Sequence, residues 1–308
     1  EIDTKAIRAN YRTFRKLIPE KVRIMGVVKS NAYGHNLTEF AHELERCGVD
    51  LLAVDSILEA LALRKAGIRV GILVLGYTLP EMFTKAQRKN IHLTISSLDG
   101  LHTFLKISFA KKIPIHLKVD TGMHRQGFQF SEIEKVLKII SNTKINPVRG
   151  GGTLRSLATS NGVNISGLYT HFASAKDPND RAFTKGQIAE FEAWRSSFVR
   201  DGFSPMVHAC ATGGSLGFPE AHFDMVRIGI GLYGVWPSSE MEQAFKEKFT
   251  LKPVLSWKTI ISEVKEIPRG AGVGYDLTHK TKQATRIAVC PIGYWHGYPR
   301  GLSNNAAV

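Results

Sequence analysis

The chain has 308 residues, 43% of them hydrophobic and 22% charged, with a formal charge of +14. These proportions fit a globular protein of about two domains and exclude a disordered or collagen-like chain. No apolar run approaches the ~18 residues of a membrane-spanning helix.

Three cysteines (Cys47, Cys210, Cys290) form no CxxC pair, so neither a disulfide framework nor a structural zinc site is expected. The opening EIDTKAIRAN lacks an apolar h-region, so nothing in it suggests secretion, and the cysteine usage makes a reducing cytoplasm the default. Its abrupt start suggests that a residue or two precede it. Lys and Arg are scattered, and the longest basic clusters are as short as Lys111-Lys112. The positive charge therefore reads as attraction for anionic ligands rather than as nucleic-acid binding.

Along the first three-quarters, short apolar runs alternate with amphipathic windows. The runs are Ile24–Val28, Leu51–Val54, Gly71–Leu75, His92–Ile95, Ile115–Val119, Ser166–His171, Met206–Cys210 and Met225–Ile230. Continuous rather than alternating hydrophobicity suits parallel strands buried on both faces. Between them, Ser56-x-x-Glu59 and Ser131-x-x-Glu134 read as capping boxes, and Gly67 as a helix stop. Ile188, Phe191, Trp194 and Phe198 form an apolar helical stripe for the core. Eight strands with helices between them predict a (β/α)8 TIM-type barrel over residues 1–236, with a doubly wound sheet as the alternative. The Arg149-Gly150-Gly151-Gly152 segment and the Ser/Thr-rich stretch after it are expected to form a surface loop.

After Trp236 the pattern changes. Pro237-Ser238-Ser239 opens a polar linker, and Val254–Ile261 and Arg286–Cys290 look like strands separated by Gly-rich turns. A smaller, mostly β domain is expected over 237–308. It looks incomplete at Ala307-Val308, so the chain is expected to continue.

Lys29 closes the first strand, where a barrel holds its ligands. Partial burial would depress its pKa, and a neutral amine can form a Schiff base. Ala211-Thr212-Gly213-Gly214 follows the seventh strand, and Arg227-Ile228-Gly229-Ile230-Gly231 closes the eighth. Small residues with free N–H groups at these two places commonly bind phosphate in barrels. A lysine at strand one facing a phosphate cradle suits pyridoxal phosphate.

At this point the chain resembles a family. VVKSNAYGH (Val27–His35), LKVDTGMHRQG (Leu117–Gly127), LYTHFA (Leu168–Ala173), MVRIGIGLYG (Met225–Gly234), VGYD (Val273–Asp276) and PIGYWHGYPR (Pro291–Arg300) occur in the order of the bacterial alanine racemases. The resemblance spans essentially the whole chain. It implies a pyridoxal-phosphate enzyme that interconverts L- and D-alanine for peptidoglycan synthesis, built as a head-to-tail homodimer with shared active sites and no metal. Lys29 would hold the cofactor and serve as one acid/base, with Tyr275 as the other on the opposite face of Cα. An unperturbed tyrosine titrates near 10, so Tyr275 would need cationic help from His171 and Arg227.

In the family an arginine faces the pyridine nitrogen, and the matching residue is Arg227. A guanidinium cannot accept a hydrogen bond, so the ring nitrogen would stay unprotonated and transamination would be limited. An arginine paired with a structural carboxylate is the alternative. Tyr33, Thr212, Gly229 and Ile230 would bind phosphate, and Arg125 the phenolic oxygen and the substrate carboxylate. Lys118 matches a lysine often carbamylated in the family, which would orient Arg125 through a bidentate pair. Tyr294 would stand at the substrate entrance.

The chain departs from the family at Trp295-His296, where relatives usually have Ala-Asp, and at Asp276, which replaces a usual glycine. Both bear on substrate size and pH profile. A racemase for serine or a basic amino acid and a non-catalytic pyridoxal-phosphate carrier are the competing readings.

Overall fold

The structure, a computed structural model, describes residues 1–107, 109, 112–142, 145–146, 157–159 and 163–306. Lys111, the Arg149–Gly152 segment and Ala307-Val308 lie outside the described residues. The chain divides into two compact units, Ile2–Leu255 and Ser256–Val308 with Glu1.

The first unit carries β1 (Arg23–Val27), β2 (Leu51–Val54), β3 (Gly71–Val74), β4 (Ile91–Ile95) and β5 (Ile113–Lys118). There follow β6 (Ile145–Asn146), β7 (Leu157–Thr159), β8 (Val163–Tyr169), β9 (Met206–His208) and β10 (Met225–Ile228). Neighbours run β5-β4-β3-β2-β1-β10-β9-β8, and a parallel β5–β8 pairing closes the ring. A doubly wound sheet has open edges, so this closure excludes it. All eight expected strands form. The short strand β7 pairs antiparallel with β6 and with β8, so part of the Ser/Thr-rich stretch expected as a loop is strand.

The barrel strands are largely apolar because both faces are covered, and the polar residues they carry, among them His116, His208 and Arg227, are buried as well. Met25, Val27, Leu51, Ala53, Leu73 and Met225 fill the lumen, while Ile24, Val28, Leu52 and Ile72 pack outward under the helices. Ser56 caps the helix Ile57–Lys65 in a full box with Glu59, and Gly67 follows it at φ +91°. The second expected box does not form. Gln129 N–H donates to Glu132 instead, at 2.8 Å, and a 3-10 turn leads into the helix Ile133–Asn142. Phe191, Trp194 and Phe198 are buried on the helix Ala182–Arg200.

Residues 237–255, expected in the second domain, fall within the barrel unit. Ser238 caps the helix Ser239–Phe245, and Met241, Leu251 and Val254 are buried. Asn10 fixes this segment by exchanging hydrogen bonds with Lys252 through its side-chain amide, both at 2.8 Å.

In the second unit β11 (Glu263–Ile267) pairs antiparallel with β14 (Thr285–Val289), and β12 (Gly272–Val273) with β13 (His279–Lys280). The strand expected over Val254–Ile261 is absent. Val254 is buried with the barrel core, and Trp257, Ile260 and Ile261 are exposed without a partner strand among the described residues. Among the described residues no helix is long and apolar enough to cross a membrane.

Candidate active site

Lys29 follows β1 directly. Val28 N–H extends the ladder by donating to Ala53 O at 2.8 Å, and the backbone then enters a left-handed turn. Ser30, Asn31, Ala32 and Tyr33 have φ of 56°, 54°, 51° and 51°. Such a conformation costs a non-glycine residue roughly 1–2 kcal/mol, so the surroundings must impose it. Ala32 N–H donates to Val28 O, Asn31 N–H to Glu59 Oε1 at 3.0 Å, and Asn31 Oδ1 accepts from Leu37 N–H at 2.9 Å. Glu59 thus caps its own helix and pins the turn. Lys29 and Tyr33 both line a cavity of about 610 Å³ at the barrel mouth, where Lys29 Nζ lies 3.8 Å from Asp55 Oδ1.

Across the cavity, Thr212 Oγ1 accepts from Gly229 N–H at 3.2 Å and Gly231 N–H at 3.3 Å, joining the turns after β9 and β10. A Cβ at Gly229 would stand 3.2 Å from the Tyr33 hydroxyl, so glycine keeps this wall open beside it. The Tyr33 ring edge rests on Tyr233, whose own hydroxyl donates to Val27 O at 2.9 Å. Burial raises the Tyr33 pKa and keeps this hydroxyl protonated. Lys29, Tyr33, Thr212, Gly229 and Ile230 therefore share one cavity.

Arg227, on β10, reaches the same cavity although it is 2% exposed. Its Nη2 donates to Thr170 O at 2.8 Å, Ala209 O at 2.7 Å and His171 Nδ1 at 3.2 Å, and its Nη1 to His208 Nδ1 at 2.8 Å. No carboxylate pairs with it among the described residues, which rejects the structural ion pair. Burial lowers it to about 10, still charged near neutrality. Burial and Arg227 together push His171 down to about 3, so that imidazole is neutral and is not the cationic neighbour expected for Tyr275.

Lys118 and Arg125 also line the cavity. Lys118 is buried at the end of β5, and its Nζ donates to Gln126 Oε1 at 3.2 Å. Burial first and Arg125 second bring its pKa down to about 8. Arg125 has no ion pair among the described residues.

Tyr275 and Tyr294 belong to the second unit. Tyr275 tops the β12–β13 hairpin and is 90% exposed, with Gly274 at φ +73° and Asp276 at φ +56° bending the chain around it. Tyr294 is exposed in a 3-10 turn with the Arg300 guanidinium 5.9 Å from its ring centroid, and Trp295 beside it is 95% exposed.

Sequence reasoning missed His208, His116, Gln126 and Asp55. Period-two placement carried a signal for two of these. His116 and Lys118 stand two apart on β5, hence on one face, and His208 lies in a short strand among apolar residues.

Family models for the alanine racemase N-terminal domain and C-terminal domain match residues 2–237 and 254–308. The chain is 38% identical over 309 residues to an alanine racemase of Methanococcus maripaludis, covering 99% of this chain and 77% of that one. It is 37% identical over 316 residues to alanine racemase 2 of Bacillus subtilis, covering 100% and 75%. The solved alanine racemase of Clostridium difficile 630 superposes with a TM-score of 0.83 at 30% identity, covering 97% and 74%. That of Bacillus anthracis with bound L-Ala-P gives 0.84 at 32%, covering 98% and 74%.

Proposed function

The chain belongs to the alanine racemase family and acts as an alanine racemase, and we propose that it uses pyridoxal phosphate on Lys29 with Tyr275 as its second proton-transferring group. The observation that carries this reading is Arg227, a buried guanidinium at a cavity wall with only neutral partners. A ring nitrogen opposite a group that can only donate stays unprotonated.

The residues present fit the cofactor. A cavity of about 610 Å³ is within the usual range for small-molecule sites, and the open wall at Gly229 leaves room beside the Tyr33 hydroxyl. Tyr33, Thr212, Gly229 and Ile230 would hold its phosphate, Arg227 and His171 would flank its ring, and Lys29 would bond to it. Pyridoxal phosphate, when bound, supplies an electron sink that makes the substrate Cα–H acidic.

Lys29 and Tyr275 then work from opposite faces of Cα. One removes the proton from its own face while the other delivers a proton to the far face, and the roles exchange for the other enantiomer. Tyr275 needs a cationic neighbour to do so near neutrality. Arg125 would hold the substrate carboxylate, oriented by a carbamate on Lys118, and Tyr294 would stand at the entrance. An exposed Tyr275 suits a head-to-tail homodimer in which each second unit serves the partner's barrel. D-Alanine made this way, in the cytoplasm, would feed peptidoglycan synthesis.

The test is loss of optical rotation from L-alanine together with visible absorbance that borohydride abolishes. Racemisation without such absorbance would overturn the cofactor assignment. Absorbance without racemisation would favour a non-catalytic carrier.

A further inference from the structure

Arg227 is the end of a longer arrangement inside the barrel. Its Nη1 donates to His208 Nδ1 at 2.8 Å; His208 Nε2 lies 2.9 Å from His116 Nδ1; His116 Nε2 lies 3.2 Å from His92 Nδ1. The three imidazoles come from β9, β5 and β4 and cross the lumen from the cavity wall to the strand-start end, since His92 is the second residue of β4.

The fold makes room for this row. A Cβ at Gly167 on β8 would fall 2.2 Å from His116 Nδ1, and the β5–β8 register shifts between Ile115 and His116. Such an irregularity re-aims a side chain. His208 stacks on Tyr169 with ring centroids 4.8 Å apart and planes 6° apart, while the Tyr169 hydroxyl is engaged with Thr94 at 3.0 Å.

Hydrogen-bond direction follows by elimination. Arginine has no acceptor, so His208 Nδ1 must be bare and its proton must sit on Nε2. That proton faces His116 Nδ1, which must accept, leaving the His116 proton on Nε2. The same step puts the His92 proton on Nε2. Charging any ring would set two donors against each other. The surrounding charges oppose it: Arg227 faces His208 and His116, and Arg64 faces His92. With burial as the first cause, His92 falls to about 4 and the other two well below their ordinary value.

We propose that Arg227, His208, His116 and His92 form a one-way chain of donated protons through the barrel lumen, in which His116 and His92 are positioning residues that hold the Arg227 guanidinium at the cavity wall. Their contribution to the reaction rests on Arg227 facing the cofactor; the proton pattern itself does not.

The test is a long-range 1H–15N correlation of the 15N-histidine-labelled holoenzyme near neutral pH. All three rings should carry their proton on Nε2. An Nδ1–H ring at any of the three overturns the proposal whatever fills the cavity, whereas an enzyme lacking cofactor absorbance but showing this pattern overturns only the cofactor reading. His92→Leu removes the last acceptor. It should mix the His116 tautomers, shift the cofactor absorbance and lower kcat about fivefold at unchanged KM, the effect of one lost neutral hydrogen bond. His92→Asn, whose amide oxygen can accept the same proton, should restore all three. Indistinguishable Leu and Asn variants would also overturn it, and if His92→Leu fails to fold, the wild-type proton pattern still decides.

Discussion

Lys118 Nζ donates to the Gln126 side-chain oxygen at 3.2 Å, a neutral partner for a buried ammonium. A buried cation with so little compensation is poised to lose its charge. Its pKa of about 8 lies below the ordinary 10.5, so between these values the unfolded chain binds the additional proton. Stability at this position therefore rises as pH climbs through that window, and the ammonium costs stability below it. In bicarbonate-free buffer at pH 7, Lys118→Met should stabilise the protein by about 1–3 kcal/mol, read from urea unfolding. With 13C-bicarbonate near pH 8, the neutral amine should add CO2 and release a proton, giving a carbamate resonance that Lys118→Met lacks. No such resonance from the wild type would remove carbamylation from the mechanism.

Lys29→Ala should abolish the borohydride-sensitive absorbance and lower racemisation by at least the ~10²–10⁴-fold of a lost acid/base group. Thr212 and Tyr33 would still retain some cofactor without a covalent link. Peptide mapping after borohydride treatment locates the adduct, and finding it on another lysine would sink the assignment.

Gly167→Ala would bring a Cβ within 2.2 Å of the His116 ring. Overpacking of this kind costs about 1–3 kcal/mol. Denaturant midpoints should show the loss in the single variant and its partial recovery when His116→Ala is added. An unaffected midpoint in Gly167→Ala would mean that the lumen can absorb the methyl group.

The barrel was legible because its strands are largely apolar on both faces and alternate with helical windows. In one window Ser56, Glu59 and Gly67 stand where sequence reasoning put them, whereas the box expected at Ser131 is replaced by Gln129 and Glu132. Lys29, Thr212 and Arg227 were legible as strand-end residues. Less visible was what long-range packing decides. Nothing local in Ser30–Tyr33 specifies a left-handed turn, because Glu59 and Leu37 impose it from outside. The lumen histidines carry only a faint local signal, His116 standing two residues from Lys118, and their row forms only when the barrel closes and brings β4, β5 and β9 together. Val254–Ile261 has a strand composition, yet its first residue is claimed by the barrel core.

Tyr275→Phe keeps the ring and removes the proton. The absorbance should persist while racemisation falls about 10²–10⁴-fold. Solvent exchange at Cα, followed by deuterium incorporation, should continue with the enantiomer whose proton faces Lys29 and stop with the other. Equal exchange for both would mean that Tyr275 is not a dedicated base.

Assembly is tested by mixing Lys29→Ala with Tyr275→Phe. Lys29 belongs to the barrel unit and Tyr275 to the hairpin of the second unit, so a shared site would draw one residue from each of two chains. Each variant alone then has two broken sites per dimer. A mixed dimer has one site lacking both groups and one intact site. With half of the dimers mixed, about a quarter of wild-type activity should return, given a closed twofold arrangement. Subunit exchange is verified by mass-tagging one variant, and recovery should track the mixed fraction. A preparation that exchanges fully and stays inactive would place Lys29 and Tyr275 in a site built within one chain, because only then does every dimer, mixed or not, carry a defect in each of its sites.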